Sequence, residues 1–120
     1  MRVILVDDEE WCLRELSDIL SDIDGIEIIG TYSLSAVAIE AVIRNGPDII
    51  FLDVQMPGIS GLDLALRFRT QIDKIHIILM SERECFARNG FDIGVDDYIL
   101  KPFREERIRR AVERAKLNIS

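Results

Sequence analysis

The feature that most constrains this chain is an alternation of two hydrophobic periods. Five short apolar runs, Val3-Ile4-Leu5-Val6, Ile26 to Ile29, Ile49-Ile50-Phe51-Leu52, Ile75 to Met80 and Tyr98-Ile99-Leu100, are each bounded by charge or turn residues. Four of the five are rich in β-branched residues and do not alternate with polar ones, the pattern of strands buried on both faces of a parallel sheet. Between them the apolar residues fall at helical spacing: Leu13, Leu16, Leu20 and Ile23; Leu34, Ala38, Ala41 and Val42; Leu62, Ala65, Leu66 and Ile72; and, last, Ile108, Ala111, Val112 and Ala115. Strand followed by helix, five times over, predicts an α/β fold, a (βα)5 doubly wound parallel sheet covered on both faces.

Punctuation agrees with that division. Asp24-Gly25 is expected to end the first helix, Asn45-Gly46-Pro47 the second, and Pro57-Gly58 to turn the chain after the third strand. Ser60 with Asp63, and Ser81 with Glu84, fit the capping-box pattern at helix starts. The fourth helix, from about Glu82 to Asn89, has little apolar content. At 120 residues the chain has room for one domain, read as residues 1–120, with no repeat or linker. No apolar run approaches the roughly 18 residues of a membrane span, and Arg2, a short apolar run and four acids do not make a secretory signal. Cys12 and Cys85 show no metal spacing and no disulfide framework, so a reducing, cytoplasmic setting is expected.

Twenty-two acids against fifteen bases give a net charge of −7, which argues against nucleic acid as a direct partner. The excess is uneven: residues 1–60 hold twelve acids and three bases, net −9, and residues 61–120 ten acids and twelve bases, net +2. Such a concentration of acid is either solvation or a site for a cation.

In open parallel sheets ligands sit beyond the carboxyl ends of the strands. The first strand ends in Asp7-Asp8, the third in Asp53, the fourth in Ser81 and the fifth in Lys101-Pro102; the second ends in uncharged Thr31-Tyr32. Three carboxylates gathered on one rim repel by about 3 kcal/mol per pair at roughly 5 Å and an effective dielectric near 20. A hard divalent cation offsets that cost, and Mg²⁺ favours one or two carboxylates with waters and a phosphate oxygen. Glu9 and Glu10 are sufficiently explained as helix-start acids favoured by the macrodipole. Asp53, at the mouth of a buried strand, is either the cap of a loop through an Asx-turn or a nucleophile able to form an acyl phosphate. Ser81 suits a helix cap and, equally, a phosphate contact. Lys101 would supply the positive charge that a transferring phosphoryl group needs.

Taken together, Asp7-Asp8, Leu52-Asp53-x-x-Met56-Pro57-Gly58-x-x-Gly61, Ser81 and Asp97-Tyr98-x-x-Lys101-Pro102-Phe103 resemble the receiver domain of two-component response regulators, over about Arg2 to Lys116. The resemblance implies a flavodoxin-like sheet in the order 2-1-3-4-5. It implies that Asp53 accepts a phosphoryl group from a phosphohistidine of a sensor histidine kinase. Asp8, Asp53 and the backbone carbonyl of Gln55 would ligate Mg²⁺ directly, and Asp7 through water. Lys101 would bind the phosphoryl oxygens across a cis Lys101–Pro102 peptide. Ser81 and Tyr98 would be the switch residues, with Gln55, Glu82 and Arg83 at positions that tune the phosphoryl lifetime.

One departure stands out: Glu82 follows the switch hydroxyl where the family usually has a small residue, and its carboxylate would oppose an incoming phosphoryl group. The run from Asp97 to Phe103 is similar to receivers joined to LytTR-type or other transcriptional-activator output domains. The chain stops after its last helix, which suits either an excised receiver or a stand-alone one; excision is the expectation, with DNA reached only through an output domain absent from this chain. The basic last helix (Arg104, Arg107, Arg109, Arg110, Arg114 and Lys116) reads as a solvated face or as part of a homodimer contact through the fourth and fifth helices and last strand. Trp11, close to the acidic pair, is either a fluorescent reporter of metal binding or a packing residue. Buried within a strand, His76 reads as structural. An aspartyl-nucleophile phosphatase would want a second Asp where Gln55 stands, and no P-loop is present. The expectation is a signalling switch rather than an enzyme, the alternative being a non-phosphorylated pseudo-receiver that acts as an interaction module.

Overall fold

The computed structural model describes residues 1–119. Its elements are β1 (Arg2–Val6), α1 (Glu10–Ser21), β2 (Glu27–Tyr32), α2 (Ser35–Asn45), β3 (Ile49–Asp53), α3 (Gly61–Gln71), β4 (His76–Ser81), one 3-10 turn (Glu84–Phe86), α4 (Ala87–Ile93), β5 (Asp97–Leu100) and α5 (Glu105–Ile119). The five strands form one sheet in the order β2-β1-β3-β4-β5, and every pairing is parallel. This is the flavodoxin-like order expected from the motifs.

Right-handed crossovers decide which helix covers which face. The chain steps outward from β1 to the edge strand β2, then returns past β1 to β3 and beyond, so α1 lies on one face and α2, α3 and α4 on the other. Side chains alternate accordingly. Val3, Leu5, Ile49, Phe51, Ile78 and Met80 pack with Leu16, Leu20, Ile108, Val112 and Ala115 of α1 and α5. Ile4, Val6, Ile50, Leu52, Ile77 and Leu79 pack with Ala38, Val42, Leu64, Ala65 and Phe68 of α2 and α3. All of these strand residues are fully buried, which explains their uninterrupted apolar sequence.

Several boundaries differ from expectation. The first helix ends at Ser21 with Asp22 as its cap, and Gly25, at φ 82°, makes the turn further on. Ile23 and Ile72 therefore lie beyond their helices, and Leu34 precedes α2 and is 63% exposed. In α3 the buried face is Leu64, Ala65 and Phe68, and Leu66 points to solvent. The fourth helix starts later than Glu82 because β4 runs through Ser81 and the chain stays extended at Arg83. Ser81 consequently forms no capping box with Glu84; its Oγ accepts from the Arg83 N–H at 3.0 Å. The Ser60 cap does form, accepting from the Asp63 N–H at 3.2 Å. Gly94 closes α4 at φ 102°, a left-handed conformation that suits glycine.

Candidate functional site

β1 and β3 are neighbours whose following helices leave toward opposite faces, so the crevice at their carboxyl ends is the switch point of the sheet. Asp7 follows β1 and its N–H donates to the Tyr32 carbonyl at 3.0 Å, pinning it between β1 and β2. Asp53 ends β3. The next residue is tied across the sheet, Val54 N–H to the Met80 carbonyl at 2.9 Å, and the Val54 carbonyl accepts from Gly61 N–H at 2.8 Å. That return brings the start of α3 against the backbone of Asp53 so closely that a Cβ on Gly61 would lie 2.0 Å from the Asp53 carbonyl oxygen. Lys101 follows β5, its N–H donating to the Ser81 carbonyl at 2.8 Å, and the Lys101–Pro102 peptide is cis.

The side chains converge. Lys101 Nζ lies 2.7 Å from Asp7 Oδ2, 3.1 Å from Glu9 Oε1 and 3.2 Å from Asp53 Oδ1. Asp7, Asp53 and Lys101 are buried, whereas Asp8 is exposed. Carboxylate oxygens of Asp7, Asp8 and Asp53 all lie within 4.8 Å of one another. Over them opens a cleft of about 250 Å³ lined by Asp8, Glu9, Asp53, Gln55, Glu82 and Lys101. A larger hollow of about 490 Å³ at the amino ends of the strands, lined by Asp48, Asp73, His76 and Asp96 among others, shares no residue with this rim.

The electrostatics follow from burial and crowding. Burial and the neighbouring Asp7 charge push the Asp53 carboxyl up to about 7. Burial would lower the Lys101 ammonium, but its hydrogen bond to Asp7 and the charges of Asp7 and Asp53 outweigh that and hold it above the ordinary lysine range. Hydrogen bonds from Trp11 and Lys101 lower Glu9. Burial and the adjacent Asp7 raise the Cys12 thiol, so it is an inert core residue. One ammonium contacts three carboxylates, those of Asp7, Glu9 and Asp53, while Asp7, Asp8 and Asp53 present hard oxygen ligands close together, and buried Asp7 Oδ2 has its ion contact but no hydrogen bond of good geometry. That donor set fits Mg²⁺.

Of the residues singled out in the sequence, Asp7, Asp8, Asp53 and Lys101 come together, and Gln55 and Glu82 line the cleft. Ser81 is buried at the end of β4 and is linked to Tyr98 through Arg83. The Arg83 N–H donates to Ser81 Oγ, and the Tyr98 hydroxyl donates to the Arg83 carbonyl. Arg83 thus enters by its peptide, its side chain being exposed.

The contacts of Glu9 and Trp11 at the site were not legible in the sequence. Glu9, accounted for as a helix-start acid, reaches back to Lys101, and its other oxygen accepts from Trp11 Nε1–H at 2.8 Å. Trp11 stacks on Phe103, with ring centroids 6.2 Å apart, and lies 5.9 Å from Lys101 Nζ. The closeness of Trp11 to the acidic pair and the adjacency of Phe103 to Lys101-Pro102 were the available hints.

The family profile of the response regulator receiver domain matches residues 3–113. This chain belongs to that family. The receiver is 35% identical, over its whole length, to the Sensory transduction protein LytR of Staphylococcus haemolyticus, and 33% identical over 116 residues to the Transcriptional regulatory protein LytR of Staphylococcus aureus. In both cases it spans 47% of the relative, about half the length of the curated relatives it matches. Among solved structures it resembles the response regulatory domain of mrkE from Klebsiella pneumoniae, with a TM-score of 0.92 at 30% identity, covering 98% of this chain and 97% of that one. It is a receiver of two-component signal transduction, a class phosphorylated by histidine kinases that generally binds Mg²⁺ at an acidic pocket. Among the described residues no helix is long and apolar enough to cross a membrane.

Proposed function

We propose that this receiver is a phosphorylation switch whose acceptor is Asp53. The observation that carries this reading is the position of Lys101 Nζ, shared between buried Asp7 and Asp53 at the mouth of an acidic cleft. A buried carboxylate beside a fixed ammonium is poised to attack phosphorus and to have the transferred charge neutralised. Oδ of Asp53 forms the new O–P bond as the bond from phosphorus to the donor, a kinase phosphohistidine nitrogen or the acyl oxygen of acetyl phosphate, breaks with its electron pair leaving on the donor. Asp8, Asp53 and the Gln55 carbonyl, with Asp7 acting through water, would hold Mg²⁺, which would supply further neutralisation of the phosphoryl oxygens. Lys101 turns its ammonium to those oxygens.

Phosphorylation changes Asp53 from a charge of −1 to about −2 with strong acceptor oxygens. Ser81 then donates to the phosphoryl group instead of accepting from Arg83, and the Arg83 peptide and the Tyr98 hydroxyl that it holds move with it. The surface so altered is α4, β5 and α5, through which homodimerisation or an output would be controlled. The full regulator would be a cytoplasmic transcription regulator with a LytTR-type output domain and a sensor histidine kinase as donor; this part reaches DNA only through that output domain. Gln55, Glu82 and Arg83 tune the lifetime of the phosphorylated state, Glu82 by placing a carboxylate on the cleft.

The test is intact mass after incubation with acetyl phosphate. A gain of one phosphoryl group that requires both Mg²⁺ and Asp53, and is lost in Asp53→Ala, is expected. No gain in folded protein would favour the alternative, an unphosphorylated pseudo-receiver, for which the Glu82 carboxylate on the cleft is the supporting observation.

A further inference from the structure

Lys101 presents three N–H donors, and three carboxylates, those of Asp7, Glu9 and Asp53, already surround it at 2.7, 3.1 and 3.2 Å. Glu9 and Asp53 accept hydrogen bonds from it and Asp7 holds it by charge, so a phosphoryl oxygen entering this crowded ring competes with these carboxylates for the ammonium. Asp7 cannot leave: it is fully buried, closest to the ammonium, and its Oδ1 is tied to the Glu9 N–H at 2.9 Å. Asp53 is the group that carries the phosphoryl. Glu9 is the remaining ligand, with its side chain 36% exposed at the edge of the cleft. Its position over Lys101 is not accidental rotamer choice, because Oε2 is held by the Trp11 indole N–H at 2.8 Å, and Trp11 is in turn stacked on Phe103, two residues beyond Lys101.

We infer that Glu9 is a built-in competitor of the phosphoryl group at Lys101, latched in place by Trp11 and released when Asp53 is phosphorylated. This rests on the reading of Asp53 as phosphoacceptor. The latch slows phosphorylation, since the Glu9 carboxylate must give up a charge-assisted contact before Lys101 can serve the incoming group. It also gives the switch a second mechanical consequence. Release of Glu9 frees the Trp11 N–H and loosens the Glu9–Trp11–Phe103 clasp that joins the start of α1 to the segment leading into α5. That clasp shares no residue with the Ser81–Arg83–Tyr98 chain, so one phosphorylation event acts on two sets of contacts.

The experiment compares wild type, Glu9→Gln and Trp11→Phe with acetyl phosphate and Mg²⁺, by intact mass and by emission of Trp11, which is the only tryptophan in the sequence. Glu9→Gln keeps an acceptor for the indole and removes the charge; its initial phosphorylation rate is expected to rise about three- to ten-fold. Trp11→Phe keeps the stack on Phe103 but frees Glu9, and a smaller increase is expected. In wild type the Trp11 emission changes with the time course of the mass gain, and in Glu9→Gln that change is reduced. Equal phosphorylation rates in wild type and Glu9→Gln, or a flat wild-type emission during mass gain, would overturn the latch and leave the phosphoacceptor reading intact. Absence of mass gain in wild type itself would overturn both.

Discussion

Asp53 stands where folding has to work against charge. Its carboxyl is raised from 3.8 to about 7 because it is buried and faces Asp7. A folded state that holds a proton more tightly than the unfolded one is favoured at low pH. The contribution is full below the unfolded value and is lost as pH rises through about 7. Without Mg²⁺, the stability of the wild type should therefore fall by about 2 kcal/mol between about pH 5.5 and about pH 8, read from urea midpoints. In Asp53→Asn the group cannot ionise, so the fall should largely disappear and the variant should be more stable than wild type at the higher pH. A wild type equally stable at both would show that Lys101 already neutralises Asp53. Lys101, raised rather than lowered, does not titrate in that window and cannot be the source of the slope.

At the scale of elements, the junction between β3 and α3 is the tightest packing around the site. Leu52-Asp53 belongs to a strand, Ser60 caps α3, and Gly61 presses against the Asp53 carbonyl with no room for a side chain. Gly61→Ala is expected to destabilise by roughly 2–4 kcal/mol, because the neighbour that would have to yield is backbone. It should also weaken Mg²⁺ affinity measured by calorimetry, since the strain falls on Asp53. Ser60→Ala, in contrast, should cost about 1 kcal/mol with no change in metal affinity. Element types and order were legible in the sequence because buried parallel strands and amphipathic helices differ in period. Boundaries were less so. Ser81 looked like a cap from its spacing to Glu84, but spacing is local, whereas the pairing of β4 with β5 is not. That pairing keeps Ser81 in the sheet and postpones α4 to Ala87.

For the molecule as a whole, four of the twelve acids of residues 1–60, Asp7, Asp8, Glu9 and Asp53, meet at one edge of the sheet, where a bound divalent cation would link to folding. At pH 8, millimolar Mg²⁺ should raise the melting temperature of the wild type by several degrees on this reading. It should raise that of Asp8→Ala much less, and Ca²⁺ should substitute poorly for Mg²⁺. A common shift in wild type and variant would mean that the ion acts by general screening. The sequence by itself determined the alternation of strands and helices, the parallel sheet, and the set of residues at strand ends from which Asp7, Asp8, Asp53, Ser81 and Lys101 were drawn. It could do so because periodicity and burial are properties of local runs, and because the ends of parallel strands necessarily share one edge. Only the tertiary structure decided the pairings across that edge. Glu9 turns back to Lys101, Trp11 stacks on Phe103, and Arg83 joins Ser81 to Tyr98 through its peptide. Those contacts bring together residues up to ninety-two positions apart, and their geometry depends on strand order, helix placement and side-chain direction acting at once, which no local pattern encodes.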